Sequence, residues 1–297
     1  MTGLRLTMKA IRDIRHLGPS RLDLLRRAGL VLLHPREHIA LTRILAQEPV
    51  AALTRQRPRL LYKYVWPYLA RRFSPDDRRA ILASHHRFLQ TSISPRFIPR
   101  LLQGRIPLWS FTSGATMCAI ALDRVGYPDT EGELEAQFIV DGERVYRLAF
   151  SIVPGTLLGE QAEHVLFVGG VQGVVGQFAA IRLASRLCDA PPARLLLDAA
   201  IGIARALGIE LIVGVSDAEQ VSKVADPTPE FTFSYDRFFL TAGGALRDGL
   251  FHLPAVLPDD SVAEVRSQRR GRSRAHRAFR RGVSEAAEDV LQRECVV

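Results

Sequence analysis

The chain has 297 residues, 47% of them hydrophobic, which is ample for a sizeable core and excludes disorder over most of its length. Its formal charge of +9 is unevenly placed: Arg266–Arg281 holds eight arginines and no acid, so 9 − 8 leaves +1 for everything else. Cys118, Cys188 and Cys295 lie far apart with no C-x-x-C pair, which excludes a disulfide framework and a cysteine zinc site and fits a reducing cytoplasm.

Residues 1–105 read as helical. Charges run through the first thirty residues, and the AGLVLL run is too short and too late for a secretory signal. Ser20–Leu33 is basic and amphipathic, and His34-Pro35 marks a helix stop and restart. Ser74-Pro75-Asp76-Asp77 predicts another helix start, with Ser74 as cap and Pro75 in the first helical position, continuing through RRAILASHHRFLQ. His34 and His38 have helical spacing for a metal, but Pro35 falls between them and no third ligand follows, so no metal is expected. His85 and His86 point about 100° apart on a helix and cannot chelate one ion together.

From Leu108 the pattern changes to strands. LWSFTSGATMCAIALDRV carries Gly114 at a hairpin or bulge. EGELEAQFIV alternates Leu134, Ala136, Phe138 and Val140 with other residues, Asp141-Gly142 supplies a tight turn, and VYRLAFSIV returns the chain. After Pro154-Gly155 a third strand, HVLFVGGVQG, ends in Gly169, Gly170, Gln172 and Gly173, where glycines allow close approach of a ligand or another strand. Arg194–Leu207 places Leu196, Ala200, Ile203 and Leu207 on one helical face, and IELIVGVSD is apolar on both faces, as in a buried central strand. Val165–Ile181, the longest uncharged stretch, is about three residues under the ~20 needed to span a membrane.

The expected class is α+β: an N-terminal helical region packed on a mixed, mainly antiparallel sheet with a βαβ-like unit. The expected division is a helical region over 1–105, an α/β core over 106–258 and an arginine-rich tail over 259–297.

EGEL, YRLAFSI, GGVQG, PPARLLLDAA, GIELIVGVSD, YDRFF and GLFHLP, in that order and spacing, resemble the VirK/YbjX family of Gram-negative bacteria, from about Arg57 to the arginine-rich end. Each motif alone is weak, whereas seven in order are specific. The resemblance implies a link to envelope integrity, antimicrobial-peptide resistance and virulence, without an agreed reaction. A second resemblance, in topology alone, is to GNAT-type acyltransferases, in which a strand, a phosphate-contacting loop, a helix and another strand hold a thioester cofactor. Their Q/R-x-x-G-x-G/A loop is missed here by one residue in Gln172-Gly173-Val174-Val175-Gly176.

Candidate groups follow from these readings. Gly170, Gln172 and Gly173 are candidates for cradling a cofactor, and Arg182 and Arg186, one helical turn apart, for holding its phosphates; tight packing and a solvated helix face are the competing explanations. Glu131 and Glu133, two apart, are expected on one face as paired carboxylates that raise a base's pKa, against the alternative of edge protection by charge. His164 is the other candidate base.

Two functional readings stand side by side. One is a cytoplasmic acyltransferase-like enzyme that modifies an envelope lipid, peptide or amine, with acyl-CoA, acyl carrier protein or an aminoacyl-tRNA as donor; such chemistry needs positioning, a base and oxyanion donors rather than a nucleophile motif. The other is a non-enzymatic accessory protein, peripheral at the inner membrane, that meets anionic lipid through Arg266–Arg281. Aromatics are few in the basic segment, so DNA is not an expected partner.

Overall fold

The computed structural model describes residues 29–126, 129–222, 233–256 and 267–295. After a helical stretch at 29–33, the described chain runs through α1 (Pro35–Leu45), α2 (Val50–Gln56), α3 (Pro75–Thr91) and α4 (Phe97–Gln103), with a 3₁₀ segment, Pro58–Val65, between α2 and α3. The start of α3 follows its local chemistry. Ser74 Oγ accepts from Asp77 N–H (3.2 Å), the Asp77 carboxylate accepts from Ser74 N–H (2.9 Å), and Pro75 occupies the first turn. Likewise Pro35 opens α1 after His34.

Eight strands form one sheet: β1 (Ile106–Ser113), β2 (Thr116–Arg124), β3 (Leu134–Val140), β4 (Glu143–Pro154), β5 (His164–Gly173), β6 (Leu211–Val215), β7 (Ala245–Arg247) and β8 (Leu250–Pro254). Their order is β1-β2-β3-β4-β5-β6-β8-β7, and every neighbouring pair is antiparallel except β5–β6. The molecule is therefore α+β with a mixed, mainly antiparallel sheet. Asp141 (φ 48°) and Gly142 (φ 88°) turn β3 into β4, both in the left-handed region that the tightest hairpins require. Two helices, α5 (Phe178–Leu187) and α6 (Pro192–Ala206), carry the crossover from β5 to β6, and α7 (Tyr235–Thr241) precedes β7.

The helical layer joins the sheet on the face bearing Ser151 and Phe167, which are partners in the β4–β5 register. Tyr68 Oη lies 2.7 Å from Ser151 Oγ, Ile152 N–H donates to His85 Nδ1 (3.1 Å), and Phe73 meets Phe167 edge to face. Apolar residues of both halves belong to a single buried cluster.

The last helix, α8 (Ser267–Glu294), takes in much of the segment expected as an arginine-rich tail, and it is docked. Val283, Ala287 and Leu291 are buried at four-residue spacing, Arg280 makes two 2.8 Å bonds to the buried Asp198 of α6, and Arg205 pairs with Glu288 at 2.7 Å. The acidic patch that receives this arginine is the protein's own. At the closest approach, a Cβ added to Gly202 of α6 would sit 2.0 Å from Ser284 O. Gly202→Ala is accordingly expected to destabilise by ~1–3 kcal/mol through overpacking, outweighing the roughly 1 kcal/mol gained in helix propensity. Trp109, edge to face with Phe279 of α8, reports the displacement by fluorescence; an unchanged spectrum and melting temperature would refute the close contact.

Candidate functional site

The glycines of GGVQG belong to β5 itself, and the loop proper begins at Val174. On one side β5 pairs with β4 along its length, from Pro154↔His164 to Tyr146↔Gly173, with a register shift that leaves Gly169 without a β4 partner. On the other side its parallel pairing with β6 covers only Leu166↔Ile212, Phe167↔Val213 and Val168↔Gly214. Beyond Val168 the two strands part, and among the described residues no strand pairs with the β6-facing edge of β5 from Gly169 to Gly173.

Glu131 occupies this parting. A Cβ on Gly169 would fall 2.4 Å from Glu131 O, and one on Gly170 would fall 2.3 Å from Glu131 Oε2. Both glycines are thus explained by the close passage of this residue over the strand. The carboxylate is fully buried: Oε2 accepts from Arg147 (2.7 Å), and Oε1 from Gln172 Nε2 (2.5 Å) and Gln220 Nε2 (3.2 Å). Burial raises its pKa, although the Arg147 guanidinium opposes the rise. Arg147 also bonds Gln172 Oε1 (3.0 Å) and lies 3.5 Å from Glu135, a buried carboxylate that Gln137 (2.5 Å) and Arg144 (3.0 Å) partner from the same sheet face. Tyr235 closes the group. Its hydroxyl accepts from Val171 N–H (3.2 Å), on the open edge of β5, and burial together with the Glu131 charge pushes its pKa up.

Among the candidate residues, the structure brings Glu131, Gly170 and Gln172 together and places the others elsewhere. Glu133 does not pair with Glu131. Both precede β3, Gly132 lies against the Phe150 backbone between them, and strand alternation does not apply there. The Glu133 carboxylate instead accepts from Lys63 Nζ at 2.6 Å, and this charge partner holds its pKa down despite burial. His164 begins β5 at the far end from Glu131, edge to face with Phe88. Gly173 sits between Tyr146 and Ile181, and an added Cβ would meet each at 3.2 Å, closer than ordinary contact, so this glycine serves close packing. Arg182 and Arg186 are both exposed on α5. The preceding loop and the start of α5 are open as well, with Val175 79% and Phe178 40% exposed.

Arg147, Gln220 and Tyr235 escaped the sequence reading. Arg147 stands opposite Gln172 in the β4–β5 register, a relation that the two flanking strands already encoded, whereas Gln220 arrives from a turn and Tyr235 from the start of α7, where the YDRFF motif gave no sign of this contact. Among the described residues no group of histidine, cysteine, aspartate or glutamate can hold a metal, and His38, once weighed as a ligand, faces the Tyr64 hydroxyl at 3.1 Å. No helix among the described residues is long and apolar enough to cross a membrane. Most of the basic stretch from Ser20, Arg266 and the side chains of Arg269, Arg270 and Arg272 lie outside the described residues.

A family model described as a protein of unknown function, DUF535, matches residues 23–280 of the chain. The uncharacterized protein YbjX of Escherichia coli (strain K12) is 26% identical over 237 residues, which cover 75% of this chain and 68% of YbjX. No solved structure matches the chain.

Proposed function

Since the chain belongs to the DUF535 family, which is the YbjX/VirK family, we propose that it acts as an acyl-transfer enzyme on an envelope lipid, peptide or amine, drawing on acyl-CoA, acyl carrier protein or an aminoacyl-tRNA. One observation carries this reading: the parallel pair β5–β6 separates after three residue pairs, and the opening holds a buried carboxylate of raised pKa beside an unpaired strand edge. The sheet order, with its one parallel pair, supports the same reading through the likeness to GNAT-type acyltransferases.

Glu131 is the base in this scheme. The acceptor's amine or hydroxyl forms a bond to the donor's carbonyl carbon and passes its proton to the Glu131 carboxylate, and the carbon–sulfur bond of the thioester breaks as the thiolate leaves. A raised pKa makes the carboxylate a stronger base than an ordinary glutamate. Arg147, Gln172 and Gln220 keep it in place, and Tyr235, which retains its own proton, donates to the oxyanion that develops on the carbonyl. Arg182 and Arg186, one helical turn apart and exposed on α5, would meet the donor's phosphates.

Titration calorimetry with acyl-CoA and acyl carrier protein, followed by release of free thiol in the presence of an amine acceptor, tests the scheme. Glu131→Gln is expected to leave donor binding intact and slow thiol release by about 10²–10⁴-fold. Arg186→Ala is expected to weaken donor binding instead. If the parent protein binds no donor, the accessory role at the inner membrane surface takes precedence.

A further inference from the structure

A second polar site lies on the helical side of the sheet, apart from the strand opening. Here α2, the 3₁₀ segment and α3 meet the start of β3 around a cavity of about 20 Å³, room for one water-sized group, that opens past Arg57 and Arg124. His85, His86 and Glu133 line its inner end. His85 Nδ1 accepts from Ile152 N–H, so the ring proton is on Nε2, which is buried and has no hydrogen-bond partner. Neither ring nitrogen of His86 has one either, although the side chain is 2% exposed and the Glu133 carboxylate is 3.8 Å away. Buried polar groups are rarely left so, and two adjacent imidazoles lining one cavity call for an occupant that accepts hydrogen bonds.

The rim supplies charge. Among the described residues neither Arg57 nor Arg124 has a carboxylate within ion-pair distance: Arg57 donates to Val125 O and Arg124 to Gln56 Oε1, both neutral. Burial, and after it the charge of Arg124, lower the Arg57 pKa, against the more distant pull of Glu133, Asp129 and Asp123. Inside, two cations balance two carboxylates, Lys63 with Glu133 at 2.6 Å and Arg59 with Asp129 at 3.6 Å, so the charge left without an ion-pair partner at this opening is positive. We propose that this recess takes one oxygen of a small carboxylate- or phosphate-bearing molecule between the rings of His85 and His86, while the rest of the anionic group sits at its mouth on Arg57 and Arg124. The apolar walls, Leu53, Leu60 and Leu101 among them, limit the ligand to a compact one.

The probes are inorganic phosphate and acetate, with chloride at equal ionic strength as control, and the readout is the ring resonances of His85 and His86 in the full chain. Saturable shifts with one of the two oxyanions, and none with chloride, are expected; whichever saturates at lower concentration assigns the headgroup. Arg124→Gln should raise the apparent Kd roughly tenfold or more, since it removes a charge-assisted bond. His86→Phe, which keeps the packing, should abolish the saturable shift of the remaining His85 ring. No saturable shift in the parent, or an unchanged Kd in Arg124→Gln, would overturn the assignment.

Discussion

Acidification through pH 6.5 towards pH 4 is expected to unfold the protein by loosening its N-terminal helical layer from the sheet. His38 and His86 are buried, and burial lowers the pKa of each from 6.5 to about 4; His85 is held well below 6.5 by burial, by His86 and by Lys63. The direction follows from proton counting. Between pH 6.5 and about 4 the unfolded chain carries protons on these rings and the folded chain does not, so stability present above 6.5 is lost as pH falls. At 1.36 kcal/mol per unit, each of the two rings near 4 accounts for about 3 kcal/mol as an upper figure. That is a large share of the roughly 5–15 kcal/mol that a domain possesses. Glu131, whose pKa is raised, works in the opposite direction and offsets part of the loss. Thermal melts by circular dichroism across this window check the point, and His86→Phe should flatten the pH dependence. A melting temperature constant from pH 6.5 to 4 would rule the mechanism out.

The three histidines also mark where sequence reading ends. Local signals carried over well: Ser74-Pro75 gives a capped helix, Asp141-Gly142 gives the hairpin, and the doubly apolar IELIVGVSD gives the interior strand β6, because each depends on residues a few positions apart. The β5 glycines were visible as places of close approach. What approaches is Glu131, some forty residues upstream, and nothing in the local pattern names it. Glu131 and Glu133 illustrate the failure in miniature: the period-2 rule assumes a strand, but β3 begins only at Leu134, and the two carboxylates go to separate networks. The docking of α8 had a signal that the arginines obscured, since Val283, Ala287 and Leu291 recur every four residues along one face.

Lys63→Met is expected to be among the most damaging single changes in the chain, at about 3–5 kcal/mol. Lys63 is 2% exposed, and it reaches Glu133 (2.6 Å), Gly132 O (3.0 Å), Asp129 (3.4 Å) and the face of the Tyr68 ring (4.5 Å). Methionine matches the stem of the side chain, so the loss comes from charge rather than from volume. Without the ammonium, Glu133 stands buried and ionised beside two neutral imidazoles, and Asp129 retains Arg59 at 3.6 Å. Loss of the Lys63 charge leaves burial to raise the Glu133 pKa, so the carboxyl takes up a proton in mild acid and the variant is more stable there than at neutrality, relative to the parent. A second substitution separates this account from simple damage: Glu133→Gln in the Lys63→Met background removes the stranded charge and should restore much of the loss, although Glu133→Gln alone destabilises by leaving Lys63 short of a partner. Urea unfolding of the two singles and the double gives the coupling directly. Additive losses, or a Lys63→Met variant within 1 kcal/mol of the parent, would mean that the buried pair is not the tie between the helical layer and the sheet.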